Sequence, residues 1–135
     1  MEMIVVLIKK HKADDHVMLT VQAGAQARFY YDRFPNIMLS AFARNMKEYE
    51  ELVISGVQWQ NMVAYVGPTI TPENQKICKM LRACEMRCMI SVAPPDKLKT
   101  KEERAAKYKK EINKRPDIIE SDISTEVWKV LQSGK

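Results

Sequence analysis

Two carboxylates near the end of the chain are the residues best suited to chemistry. Glu120 and Asp122 are two positions apart, so their side chains point the same way if this segment is extended. Paired carboxylate oxygens can hold a hard divalent cation. A simpler interpretation is that Asp122 caps the turn before the next helix and that Glu120 is an ordinary rim residue. The sequence leaves both interpretations open.

Three further polar residues follow or end apolar segments. Gln22, Tyr65 and Ser91 can each donate a hydrogen bond to a phosphate or hydroxyl oxygen. Each also fits the role of a turn or rim residue that bonds its own backbone. With Glu120 they are the predicted substrate-binding residues. The predicted strand ends carry no histidine and no lysine, so we assign no catalytic residue and no metal ligand.

Short apolar strands alternate with amphipathic helices along the chain, which predicts an α/β fold with a parallel sheet. In such sheets functional residues gather at the carboxyl ends of the strands. An open doubly wound sheet and part of a closed barrel both fit this alternation. No glycine-rich phosphate loop follows any strand, which gives a dinucleotide-binding fold little support. The predicted strands span 16–21, 37–41, 61–66, 87–92 and 117–120.

Several helix starts carry their own signals. A polar cap residue followed three positions later by glutamate is typical of a capping box, and threonine before proline is a second common start. We also expect the last helix to pack Val127, Trp128 and Leu131 inward. The predicted caps are Asn45 with Glu48, Thr71 before Pro72, Thr100 with Glu103, and Ser124.

Size and composition predict one soluble domain covering residues 1–135. The apolar fraction of 46% and the charged fraction of 29% are ordinary for a globular protein. No apolar run approaches the roughly 18 residues that suggest a membrane span. The first apolar stretch lacks a preceding basic region and a cleavage site, so we expect no signal peptide.

Three cysteines fall within one short window: Cys78, Cys84 and Cys88. An odd number with this spacing fits neither a four-ligand zinc site nor a complete set of disulfides. We expect free thiols that are buried or half-buried.

The net charge of +5 comes from one segment. Residues 97–114 contain eight basic and three acidic residues, and the rest of the chain is balanced. The segment is interpreted as a solvated helix face. The alternative is a surface that attracts anions beside a phosphate site or an acidic partner. Nucleic acid is not an expected partner, because the run has one aromatic residue and no binding motif.

Three segments resemble the glycerophosphodiester phosphodiesterase family. Residues 12–22 are similar to a strand that usually ends in Ser-Phe in the family. Residues 86–93 are similar to its Val-x-Val-Trp-Thr-Val-Asn strand, with Ser91 at the threonine. Residues 117–122 are similar to its closing Gly-Val-Asp-Gly-Ile-Ile-Thr-Asp segment.

The resemblance implies the C-terminal half of a TIM-type (β/α)8 barrel of the phosphodiesterase superfamily. Ile90 and Ala93 replace the family's Trp and Asn, which suggests a differently shaped pocket.

The resemblance also implies an activity, namely metal-dependent hydrolysis of glycerophosphodiesters to glycerol phosphate and an alcohol. Mg²⁺ or Ca²⁺ is the implied cofactor, but none of its ligands can be assigned here. The family's early His-Arg-Gly and later His-Asp motifs are absent, since His11 precedes Lys-Ala and His16 precedes Val-Met. We therefore expect the chain alone to be inactive. The alternative is a non-catalytic module that binds a phosphate ligand or serves assembly.

A half-barrel would leave two strand edges and an apolar face uncovered. We therefore expect association, either as a homodimer or by docking to the missing half-barrel. The expected small-molecule partner is a glycerophosphodiester or another phosphate ester.

Overall fold

The computed structural model of the chain describes residues 1–134. Five strands and seven helices alternate, with one 3₁₀ turn at Trp59–Asn61. The strands are β1 Met18–Val21, β2 Met38–Phe42, β3 Met62–Gly67, β4 Arg87–Ser91 and β5 Ile118–Glu120. The helices are α1 Glu2–His11, α2 Gly24–Tyr31, α3 Met46–Ser55, α4 Pro72–Ala83, α5 Ala93–Asp96, α6 Lys101–Ile112 and α7 Ser124–Ser133.

All five strands form one parallel sheet in the order β1-β2-β3-β4-β5. The α/β prediction is therefore confirmed, and each predicted strand lies within two residues of its observed bounds. The largest shift is at the start of β1. There the segment before Met18 forms a turn, in which the His16 amide donates to the Ala13 carbonyl.

The two faces of the sheet differ in chemistry because successive side chains point to opposite faces. One face carries fully buried apolar residues that belong to the core shared with the helices, among them Leu39, Ala41, Ala64, Val66 and Ile90. The other face mixes polar and apolar side chains, several of them partly exposed, and these form the groove described below. Burial of the helix-side residues supplies the main apolar stabilisation of the fold.

The helix starts confirm most of the predicted caps. Thr71 and Thr100 each accept from the backbone amide three residues on, with side chains of Asn74 and Glu103 completing the two capping boxes. Asn45 caps α3, but the Glu48 carboxylate bonds Arg44 instead of closing the box. The prediction for Ser124 is wrong. It is the first helical residue, and Ile123 occupies the cap position without a side-chain bond.

Two of the three cysteines confirm the expected buried free thiols. Cys78 and Cys88 are buried between α4 and β4, and the Cys88 thiol donates to the Cys78 carbonyl at 3.8 Å. Hydrogen bonding with Cys78 and burial raise the pKa of Cys88, so this thiol stays protonated. Cys84 is instead exposed, because it follows the last turn of α4 and points away from the sheet.

The basic segment forms α6 and the loop before it. Tyr108 of α6 is buried against the core. The exposed residues of the helix, as expected for a solvated face, include Lys101, Lys107, Lys109 and Lys110. Within residues 1–134, no helix combines the length and apolar character needed to cross a bilayer.

Gly24 permits the close approach of α2 to α3. A Cβ at this position would lie 2.2 Å from the Glu51 carbonyl oxygen, so Gly24→Ala must push the two helices apart. We expect a loss of about 1–3 kcal/mol in the free energy of unfolding, measured by urea denaturation. The same change at Gly134, where a Cβ meets nothing closer than 3.9 Å, is the control. Equal effects at the two positions would contradict the packing argument.

Candidate functional site: a polar groove across the sheet

A groove of about 380 Å³ runs across the sheet face opposite the core. It crosses all five strands, because each contributes at least one side chain to its lining. The lining combines hydroxyl groups and one carboxylate with two methionines and one phenylalanine ring. The lining consists of Met18, Thr20, Ser40, Phe42, Tyr65, Met89, Ser91 and Glu120.

The register of the parallel strands brings these side chains together from distant parts of the sequence. Phe42 is paired with Tyr65, and Tyr65 with Met89. Ser91 is paired with Glu120 on the edge strand. Side chains of directly paired residues stand next to each other on the same face. The result is a wall of mixed polar and apolar side chains that runs from β2 to the β5 edge.

Three of the four predicted substrate-binding residues line this groove: Tyr65, Ser91 and Glu120. Gln22 lies apart from it. Its side chain is exposed just after β1, and its backbone amide donates to the Gln26 side chain at 2.8 Å. Asp122 is also outside the groove lining. The structure thus brings Glu120 to the groove without the second carboxylate of the sequence pair.

Tyr65 and Glu120 influence each other electrostatically. Burial raises the pKa of Tyr65, and the negative charge of Glu120 raises it further, while Arg44 opposes both effects. The phenol is therefore neutral at physiological pH and has a proton to donate. A neutral donor beside a carboxylate is suited to orienting a hydroxyl or a phosphate oxygen.

Arg44 is a candidate that the sequence analysis missed. Its guanidinium lies 4.5 Å from the centre of the Phe42 ring, and the rings of Phe42 and Tyr65 are 5.3 Å apart. Arg44 thus places a cation at the aromatic side of the groove. The signal was its position two residues beyond the end of β2, where parallel sheets place functional groups.

Glu48 holds Arg44 in place. The carboxylate accepts from the guanidinium at 2.5 to 3.1 Å and from the Arg44 backbone amide at 2.7 Å. This hydrogen bonding lowers the pKa of Glu48 against the opposing effect of burial. An arginine that is already paired in this way is oriented but partly neutralised.

A buried carboxylate, Asp96, fixes the turn that follows Glu120. It accepts from the Tyr108 hydroxyl at 2.5 Å, from the Ser121 hydroxyl at 2.9 Å and from the Asp122 amide at 2.7 Å. Burial, followed by the bond to Asp96, raises the pKa of Tyr108 to about 12. Asp96 therefore caps the turn for which Asp122 was one candidate in the sequence.

Asp117 fixes the other end of β5. Its carboxylate accepts from the Cys88 amide at 2.8 Å and from Arg82 at 2.9 Å. Arg82 also donates to the carbonyl of Arg115, which has the left-handed φ of 56°. These bonds anchor the start of β5 to β4 and α4. The carboxylates of Asp96 and Asp117, one at each end of β5, together set the position of Glu120.

The described residues do not by themselves fit a divalent cation. Within residues 1–134, no group of three histidine, cysteine, aspartate or glutamate side chains is close enough to hold a metal ion. Mg²⁺ and Ca²⁺ prefer several oxygen ligands, and the groove offers Glu120 as its one carboxylate. Any metal chemistry at this groove therefore needs ligands from outside these residues.

The fold and the groove define the class of protein. Five parallel strands in sequential order, each followed by a helix, with a polar groove that includes their carboxyl ends, form part of a TIM-type β/α barrel.

The comparisons with known proteins agree with this class. A crystal structure of a glycerophosphoryl diester phosphodiesterase from Parabacteroides distasonis ATCC 8503 superimposes with a TM-score of 0.92 and 42% sequence identity. The match covers 98% of this chain and 47% of that protein, so the chain spans about half its length. Searches with protein-family models and among curated proteins found no match. The chain is thus similar over nearly its whole length to about half of a glycerophosphoryl diester phosphodiesterase, and the resemblance seen in its sequence is confirmed.

The importance of Asp96 can be measured directly. Asp96→Asn replaces one acceptor oxygen by an NH₂ group, which would face the Ser121 hydroxyl or the Asp122 amide. We expect a loss of about 2 kcal/mol in the free energy of unfolding. Asp122→Asn, at an exposed side chain of the same turn, is the control and should change stability little. If both variants unfold like the wild type, Asp96 does not hold the turn.

The Arg44–Glu48 pair predicts a pH-dependent contribution to stability. Because the pKa of Glu48 is lowered in the folded state, its contribution is present above the unfolded value of about 4.3 and is lost as the pH falls through the folded value. We expect Glu48→Gln to cost up to about 1 kcal/mol at pH 7, since Arg44 is half exposed, and nothing near pH 2. Glu50→Gln, at an exposed position of α3, is the matched control. A difference that persists unchanged at pH 2 would contradict the pairing.

Proposed function

We propose that this chain provides the substrate-binding wall of a glycerophosphodiester phosphodiesterase site. The observation that carries the proposal is the similarity, over nearly the whole chain, to a protein described as a glycerophosphoryl diester phosphodiesterase. Tyr65, Ser91 and Glu120 would contact the glycerol hydroxyls or phosphate oxygens. Gln22 would contribute only from the rim, because it lies outside the groove.

The chemistry of the groove supports binding rather than complete catalysis. Tyr65 and Ser91 are neutral donors, and Arg44 lies beside the ring of Phe42. Donors of this kind can bind phosphate oxygens through hydrogen bonds. The cation implied by the family, Mg²⁺ or Ca²⁺, would stabilise negative charge on the phosphoryl group when bound. Its ligands and the acid–base residues would come from outside this chain.

A second candidate function is a non-catalytic module that binds a phosphate ligand or serves assembly. One observation favours it: the groove lining contains neither histidine nor lysine and has a single carboxylate. A phosphate-binding module predicts the same behaviour for the isolated chain as the first candidate, which is binding without turnover, whereas a module that serves only assembly predicts no binding. The two candidates differ once the rest of a barrel is present, because only the first predicts that hydrolysis then appears.

The proposed binding can be tested by titrating the chain with glycerol 3-phosphate and with glycerophosphocholine, using calorimetry with and without Mg²⁺ or Ca²⁺. We expect saturable binding, with affinity falling roughly fivefold in Tyr65→Phe because one hydrogen bond to the ligand is lost. Tyr31→Phe, which removes the same hydroxyl from α2 away from the groove, is the control.

Two results would contradict the proposal. The absence of binding at millimolar ligand would rule out the proposed role as a binding wall. Metal-dependent hydrolysis by the isolated chain would show that acid–base groups are present after all.

A further inference from the structure

Two buried cysteines meet between helix α4 and strand β4. Cys78 lies in the middle of α4, and Cys88 is the second residue of β4. Both are free thiols, and their exposed fractions are 1% and 0%. The Cys88 thiol donates to the Cys78 carbonyl at 3.8 Å, and the two thiols are also hydrogen-bonded to each other. The two sulfur atoms therefore lie close together without a covalent bond between them.

A ring of polar contacts holds the helix and the strand at this level. Arg82 follows Cys78 by one helical turn, so both side chains lie on the same face of α4. The Arg82 Nε donates to Oδ2 of Asp117 at 2.9 Å, and the same oxygen accepts from the Cys88 amide at 2.8 Å. Moving α4 away from β4 here would break these bonds. The closeness of the two thiols is thus built into the packing.

The two thiols differ in reactivity. The hydrogen bond with Cys88 lowers the pKa of Cys78 against the opposing effect of burial, and the positive charge of Arg82 lowers it further. The same hydrogen bond raises the pKa of Cys88, which keeps its proton. A thiolate attacks oxidants, and the sulfenic acid it forms condenses with a neighbouring thiol. Cys78 is therefore suited to the first step and Cys88 to the second.

A small oxidant can approach the pair from the side of the Arg82–Asp117 ion pair. The side chains of these residues are 40% and 32% exposed, and the ion pair is bonded to the backbone of Cys88 itself. A displacement of Arg82 would open a path for a molecule little larger than water. A bulky oxidant such as a disulfide is excluded, because both sulfur atoms are buried.

We propose that Cys78 and Cys88 are an oxidation site at which hydrogen peroxide forms a disulfide between α4 and β4. The Cys78 sulfur attacks one peroxide oxygen and the O–O bond breaks. This gives a sulfenic acid, while the leaving hydroxide takes up the thiol proton as water. The Cys88 sulfur then attacks the Cys78 sulfur and releases a second water molecule. Two thiols thus lose two electrons and two protons, and one peroxide is reduced to two water molecules.

This site is separate from the polar groove. Cys88 belongs to the core on the helix side of the sheet, whereas its neighbour Met89 lines the groove on the other side. The proposal therefore does not depend on whether the groove binds a phosphate ester.

The test uses Cys84→Ser, which removes the exposed thiol and leaves the buried pair intact. The folded protein is treated with millimolar hydrogen peroxide, denatured in N-ethylmaleimide and measured by intact mass. We expect both remaining thiols to escape alkylation and the mass to fall by that of two hydrogen atoms. Non-reducing digestion should give a linked pair of peptides containing Cys78 and Cys88. Full alkylation of both cysteines would overturn the proposal, and so would oxidation to sulfinic or sulfonic acid without the link.

Two further variants, made in the Cys84→Ser background, separate the roles of the two thiols. Cys88→Ala should stop the oxidation at Cys78, where dimedone traps the sulfenic acid. Cys78→Ala should leave Cys88 alkylatable and lower its rate of oxidation about tenfold or more, because its thiol stays protonated. Circular dichroism checks that each variant is folded, and the mass measurement on Cys84→Ser decides the proposal even if one is not. Faster oxidation at Cys88 than at Cys78 would overturn the assigned order.

Discussion

The buried carboxylate of Asp96 is the interaction on which the outer part of the sheet most depends. Strand β5 has only three residues and lies at an edge, so its pairing with β4 alone provides little stability. Asp96 adds bonds to a hydroxyl and an amide just beyond the strand, and to the Tyr108 hydroxyl of α6. It thereby connects the turn after β4 with α6 and with the start of the last βα unit. Asp117 does the same at the beginning of β5.

The polar groove combines limited charge with well-oriented donors. Arg44 is held by Glu48 and by the Phe42 ring, and the neutral Tyr65 phenol stands between this arginine and Glu120. A site of this kind binds an anion mainly through preorganised hydrogen bonds. It has little unpaired charge to attract one from a distance. This balance is consistent with the proposed role of the groove as a binding wall.

Much of the fold follows from local patterns that a single sequence displays. The strands are short apolar runs, and the caps at Thr71 and Thr100 depend on residues three positions apart. Glu120 and Ser91 were placed at the sheet's carboxyl edge because they end such runs. Their pairing with each other needed the register, which only the structure gives.

Other features could not be predicted because they depend on contacts between distant segments. Asp96 lies in a proline-containing turn, and its role comes from Tyr108 and Ser121, residues 12 and 25 positions away. Arg44 gains its place beside the groove from an aromatic pair formed across β2 and β3. The cap predicted at Ser124 failed because the helix starts one residue earlier than predicted, with Ile123 at the cap position.

The sequential strand order also has a consequence for how the chain is made. Each strand pairs with the one synthesised just before it, so no pairing has to wait for a segment much further along the chain. A chain whose strands pair in the order of their synthesis can be assembled unit by unit as it leaves the ribosome. Strand β5 comes last in this order, and its turn is secured by residues from α5 and α6 as well as by its neighbouring strand. Closure of the last βα unit should therefore be the final event of folding.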